Sequence, residues 1–146
     1  ALESFPFPHC VENCGRLEHD PATGLSGRER VLRLMDTADA LLLLHGNDGF
    51  CEEYFPSKLY EYLWTQRPIL ALVHHNPDLE NFLRELGHEP APAEDAQAIG
   101  EVLTRLMQRW DNDDLRDNGR VSPYSTQRSV EQLVNWGREI SAPARR

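Results

Sequence analysis

Glu53 and Glu61 are separated by seven residues, Pro56, Ser57 and Lys58 among them. A helix that starts in this interval leaves the backbone N–H groups of Ser57, Lys58 and Leu59 unpaired in its first turn. Those donors, the positive end of the helix dipole and the Lys58 charge together make an anion site of the kind that holds a phosphate. Glu53 precedes the site and Glu61 lies one turn inside the helix, so two carboxylates bracket it. On the residues alone, Glu61 reads first as an ordinary solvated helix position.

The elements that must position these groups are legible around them. Residues 40–44 form a short continuous apolar run, which predicts a strand covered on both faces. Residues 45–55 are too polar and too rich in glycine to extend it; Gly46 and Gly49 permit close backbone approach. Pro56 suits the first helical position, where its missing N–H costs nothing. The helix runs to about Thr65, with Leu59, Tyr60 and Leu63 on one side and Glu61 sharing a face with Ser57. Gln66 stands at a helix end that favours glycine, where a left-handed residue costs around 1 kcal/mol.

The remaining chain alternates in the same way. Residues 10–14 read as a short strand closed by Gly15. Ser26 and Glu29 fit a capping box that opens a helix with Val31, Leu32, Leu34 and Met35 on its inner face. Residues 69–73 are a second solid apolar strand. Asn76 caps the next helix, Pro77 opens it, and Leu79, Phe82, Leu83 and Leu86 form its stripe before Gly87. Residues 88–92 are a weak edge strand because of Pro90 and Pro92. A helix over about 93–110 turns Ile99, Val102, Leu103, Leu106 and Met107 inward. After a charged loop at 111–120, a last helix over about 125–140 carries Val130, Leu133, Val134 and Trp136, and the final residues form a disordered tail. Solid apolar strands alternating with helices predict an α/β fold: a Rossmann-like three-layer α/β/α sandwich with a small parallel sheet. In such a sheet, ligands bind beyond the carboxyl ends of the strands. The loops expected there are 15–17, 45–55 and 74–76.

The glutamate spacing, with the flanking Ala38-Asp-Ala-Leu-Leu-Leu-Leu, Pro56-Ser-Lys-Leu-Tyr-Glu-Tyr-Leu and Arg67-Pro-Ile-Leu-Ala-Leu-Val73, resembles the paired-glutamate motif of group 1 retaining glycosyltransferases. Those enzymes are built from twin Rossmann-like halves, and the resemblance is to the C-terminal, donor-binding half, from about Val11 onward. It implies a nucleotide diphosphate sugar as donor and hexosyl transfer with retention. Glu53 would contact sugar hydroxyls as the catalytic-site carboxylate, and Glu61 would accept hydrogen bonds from the ribose. The backbone around Phe55, Ser57, Lys58 and Leu59 would bind the diphosphate, with Asn47 and Gly49 in the adjoining loop and Arg16 bordering the base. It further implies no metal cofactor, since protein donors stabilise the leaving diphosphate. The expected partner is an N-terminal acceptor domain of the same enzyme. The single domain of residues 1–146 would be a fragment truncated at its N-terminal end, and inactive alone.

Composition sets outer bounds. A net charge of −9 opposes general binding to nucleic acid or an anionic membrane surface. No apolar run approaches the roughly 20 residues of a membrane helix. Three cysteines without a secretion signal favour reduced thiols and a cytoplasmic location; the inner membrane face stays open for the full-length protein. On a strand, Cys10 and Cys14 would lie about 13 Å apart, too far to share an ion. His74 and His75 face the expected cleft and read as solvated loop residues without a spaced carboxylate partner for a metal. A receiver-type or flavodoxin-like binding domain is the main alternative, although His45-Gly46-Asn47 stands where a receiver has its phosphorylatable aspartate. A degenerate glycosyltransferase domain kept for protein interaction is the other.

Overall fold

A computed structural model describes residues 6–115 and 124–141. The element order is a 3-10 turn Pro8–Cys10, α1 Gly27–Thr37, β1 Leu41–Leu44, α2 Ser57–Trp64, β2 Ile69–Val73, α3 Pro77–Glu85, β3 Glu89–Pro92, α4 Ala96–Asp111 and α5 Thr126–Ser141. These fall into two compact units, one ending at Thr37 and one beginning at Ala38.

In the N-terminal unit the capping box forms as the sequence predicts. The Glu29 carboxylate accepts from the Ser26 N–H at 2.8 Å and the Ser26 hydroxyl at 2.6 Å, and the Glu29 N–H donates back to Ser26 Oγ at 3.3 Å. The predicted strand at 10–14 does not form. Pro8 opens a 3-10 turn, the Val11 N–H closes it on the Pro8 carbonyl, and the Asn13 side chain takes the Gly15 N–H. Local bonds thus occupy a segment that no neighbouring strand pairs with. Of the helix's apolar residues only Met35 is buried; Val31, Leu32 and Leu34 are exposed.

The second unit is an α/β fold of Rossmann-like form, with a three-stranded parallel sheet in the order β1-β2-β3. Leu41 pairs with Ile69 and Leu70 with Glu89, which aligns the carboxyl ends of all three strands. Sequential order in a parallel sheet requires two crossovers of the same hand, so α2 and α3 share one face. Buried Leu59, Leu63, Leu79 and Leu83 meet that face, with Leu41, Leu43, Ile69, Ala71 and Val73 from the strands. α4 takes the other face, where Leu70, Ala91, Val102, Leu106 and Leu115 form a core flanked by Leu72 and Ile99.

β1 departs from the expectation of cover on both faces. It is an edge strand, and Leu42 and Leu44 are 50% and 66% exposed while Leu41 and Leu43 are buried. On α4, Leu103 and Met107 also stay exposed, with Trp110 beside them. These residues line an apolar groove of about 360 Å³ against Leu42 and Leu70. β3 is the other edge, which explains its prolines. The Ala93 N–H donates to Val73 O at 2.8 Å, so by alternation Pro90 and Pro92 face outward, where no donor is needed. α4 begins at Ala96, later than expected, because Asp95 caps it through the Ala98 N–H. Gln66 has φ +57, the left-handed geometry its position requires. The apolar residues of α5, including Val130, Leu133, Val134 and Trp136, are exposed. The predicted tail beyond Ser141 and residues 116–120 of the loop at 111–120 lie outside the described residues.

Candidate functional site

The carboxyl edge of the sheet collects the segments that follow β1, β2 and β3. The β1 loop leaves the sheet at His45, whose N–H still donates to Leu72 O at 3.0 Å and extends the ladder by one residue. The His45 ring is buried, packs on Tyr54 at 5.3 Å between centroids, and offers Nδ1 to the His74 N–H at 3.4 Å. The loop then folds around Asp48. Its carboxylate accepts from the Phe50 N–H at 3.0 Å and the Cys51 thiol at 3.3 Å, and its carbonyl accepts the Cys51 N–H. Cys51 is 1% exposed and sits against Gly46, where a Cβ would lie 2.7 Å from its sulfur. Gly46 is therefore fixed by close approach. All three cysteines are free thiols, and only Cys51 is buried.

Asn76 ties this loop to the next helix. Its side-chain oxygen accepts the Leu79 N–H at 2.9 Å, the cap read from the sequence. Its amide also donates to the carbonyls of Cys51 at 2.9 Å and Tyr54 at 3.1 Å. Phe55 continues the seam, with its ring edge-on to Phe82 of α3 at 5.1 Å. The far end of the loop is thereby held where α2 begins.

At α2 the structure shifts the predicted anion site by one residue. Pro56 is the N-cap, with extended backbone, and the helix begins at Ser57. The Leu59 N–H donates to Pro56 O at 3.0 Å, so it is not among the unpaired donors, and the Leu59 side chain is fully buried. Ser57 and Lys58 are exposed at the helix start, no side chain caps that end, and Glu61 is half-buried one turn on. Glu53, Asn47 and Gly49 are exposed in the preceding loop. The segment that follows β1 and opens α2 carries Asn47, Gly49, Glu53, Phe55, Ser57, Lys58 and Glu61 in one run of chain. Arg16 belongs to the N-terminal unit, where its guanidinium lies 4.0 Å from the Glu18 carboxylate. With no strand at 10–14, the loop at Gly15 and Arg16 does not follow a strand of this sheet, and its expected place at the carboxyl edge loses its basis.

The reading of His74 and His75 as histidines without a carboxylate partner is corrected. The register that pairs Val73 with Pro92 sets the residues just beyond them side by side. Glu94 Oε1 lies 3.3 Å from His74 Nδ1, and Oε2 lies 3.9 Å from His75 Nε2. The imidazoles stack at 4.2 Å, an arrangement His75 reaches with φ +45. The approach at His74 is within ion-pair distance but off hydrogen-bond alignment, and its buried Nδ1 has no hydrogen-bond partner. Sequence spacing could not show Glu94, because only strand register brings it to His74. The buttressing role of Asn76 was likewise hidden behind its plain reading as a cap.

No family model matches this chain, and no curated protein or solved structure matches it significantly. Among the described residues, no helix is long and apolar enough to cross a membrane.

Proposed function

We propose that this chain is the nucleotide-sugar-binding half of a retaining glycosyltransferase, acting with an N-terminal acceptor domain. The observation that carries the reading is the placement of Glu53, Ser57, Lys58 and Glu61. They straddle a helix start at the carboxyl edge of a parallel sheet, where such folds bind ligands. In this reading the Ser57 and Lys58 N–H groups and the Lys58 ammonium hold the diphosphate. Glu61 accepts from the ribose hydroxyls. Glu53 orients the hexosyl group, with Asn47 and Gly49 beside it. The protein's own donors stabilise the departing diphosphate, and transfer requires the acceptor domain as well.

Calorimetric titration of the protein with UDP, GDP and ADP and their hexose conjugates tests the reading. One nucleotide should bind selectively, and Glu61→Ala should weaken it at least tenfold, about 1.4 kcal/mol. Absence of binding to all of them by folded protein would reject the donor site. It would favour a non-catalytic interaction domain, a reading supported by the apolar groove of Leu42, Leu103, Met107 and Trp110.

A further inference from the structure

We propose that His74, His75 and Glu94 form a binding site for a transition-metal cation, with zinc the best fit. The site is separate from the nucleotide reading and is tested without nucleotide. Two imidazole nitrogens and a carboxylate are donors that suit zinc, at bond lengths of about 2.0–2.2 Å. Tetrahedral bonds of that length place donor atoms about 3.3 Å apart. The observed separations are 3.3 Å and 3.9 Å, and all three donor atoms lie within 4.8 Å of one another. A closed coordination triangle requires the two imidazoles, stacked at 4.2 Å, to turn so that the plane of each ring points at the ion.

Three features distinguish the corner from a chance meeting of surface side chains. His74 Nδ1 is buried, lacks a hydrogen-bond partner and faces Glu94. A buried ring nitrogen left in that state is costly, and a cation would satisfy it. His75 is one of three non-glycine residues with positive φ among those described, and that conformation brings its ring alongside His74. The donors also border a cavity of about 150 Å³ formed with Val73 and Ala93. Glu80 reaches the same cavity, but its Oε2 is bound to Arg84 at 2.8 Å. Three protein ligands therefore leave room for water or an outside donor in the fourth position.

The competing donors are in the N-terminal unit. His9, Cys10, Cys14 and His19 are all exposed, and no metal-holding group forms from them among the described residues. In the proposed site, the metal would fix the turn between β2 and α3. That turn contains Asn76, which carries the Cys51 and Tyr54 carbonyls. Binding should therefore reduce motion in the β1 loop as well.

The test is calorimetric titration of the full chain with zinc chloride alone. A parallel cobalt titration reads the visible ligand-field bands. One zinc ion per chain is expected, with cobalt bands of a nitrogen and oxygen donor set. Glu94→Gln should weaken binding at least tenfold, and Cys10→Ser with Cys14→Ser should leave it unchanged. His75→Gly keeps the proposal falsifiable where other variants misfold, because glycine accepts the left-handed backbone without strain. It too should weaken binding at least tenfold, with an unchanged circular dichroism spectrum. The proposal is overturned by no binding, by binding that Glu94→Gln and His75→Gly leave within threefold, or by binding lost in the cysteine variant.

Discussion

Two corners of the carboxyl edge are built on opposite plans. The β1 loop is held by burial: Cys51 and Asn76 are each 1% exposed, and Asn76 serves three backbone groups at once. In the corner after β2 and β3, the side chains that flank Asn76 are tied less firmly. His75 and Glu94 are exposed, His74 Nδ1 is unsatisfied, and His75 has a left-handed backbone. The contrast separates a segment that spends its side chains on rigidity from one that keeps reactive donors available. A loop of the first kind can present exposed Glu53 and Lys58 in fixed positions. A corner of the second kind would gain stability from whatever binds it.

The largest effect expected from this contrast is at Asn76. Asn76→Ala removes a helix cap worth about 1 kcal/mol and strands two carbonyls at about 1 kcal/mol each. A loss near 3 kcal/mol is expected in urea denaturation. Asn76→Asp retains the cap but turns a carboxylate toward those carbonyls, so it should lose at least as much. Glu94→Gln in metal-free protein should stay within about 0.5 kcal/mol of the parent. If Asn76→Ala costs less than about 1 kcal/mol, burial is not what holds the loop and the contrast collapses.

The next test uses glycine in both directions. At Gly46 an added methyl meets the Cys51 sulfur at 2.7 Å, and Cys51 is packed too tightly to move freely. Gly46→Ala should cost about 1–3 kcal/mol. Cys51→Ala in the same chain should recover part of that, a coupling that a double-mutant cycle measures. At His75 the sign reverses. His75→Gly relieves a left-handed residue and should stabilise metal-free protein by up to about 1 kcal/mol. Equal signs at the two positions in thermal melts would mean that the corners do not differ in strain.

How much of this was legible follows the same division. Contacts close in sequence were readable: the Ser26 and Glu29 box, the Asn76 cap, the Gln66 turn, and α2 beginning between Glu53 and Glu61. Apolar runs marked β1 and β2, while β3 was legible only as a weak edge strand because of Pro90 and Pro92. Periodicity could not show how much cover each face receives. Leu42 and Leu44 look as buried as Leu41 and Leu43 until the sheet order makes β1 an edge. Leu103 and Met107 likewise look buried by period but line the open groove beside Leu42 and Leu70. The 10–14 segment has a strand-like pattern but no pairing partner, and local bonds to Pro8 and Asn13 took its place. Glu94 became a partner of His74 only through the pairing of Val73 with Pro92.

The smallest expected effect is a titration at Tyr54, where the β1 loop meets His45. Loss of water around its hydroxyl pushes the Tyr54 phenol above its ordinary range, and the neighbouring Cys51 and Asp48 push the same way. A tyrosine with a raised pKa in the folded state is favoured in its neutral form. Its contribution to stability is therefore fully present below the unfolded pKa of about 10 and is lost as pH rises through the folded value. Tyr124 is also raised, by burial first and then by Tyr60 and Glu85, so the measurement belongs in a Tyr124→Phe background. Phenolate absorbance should show a late-titrating tyrosine, and Cys51→Ala should bring it back toward the ordinary range. A shift that survives Cys51→Ala undiminished would leave water exclusion and Asp48 as its sources, and Cys51 would then serve the loop through packing against Gly46 alone.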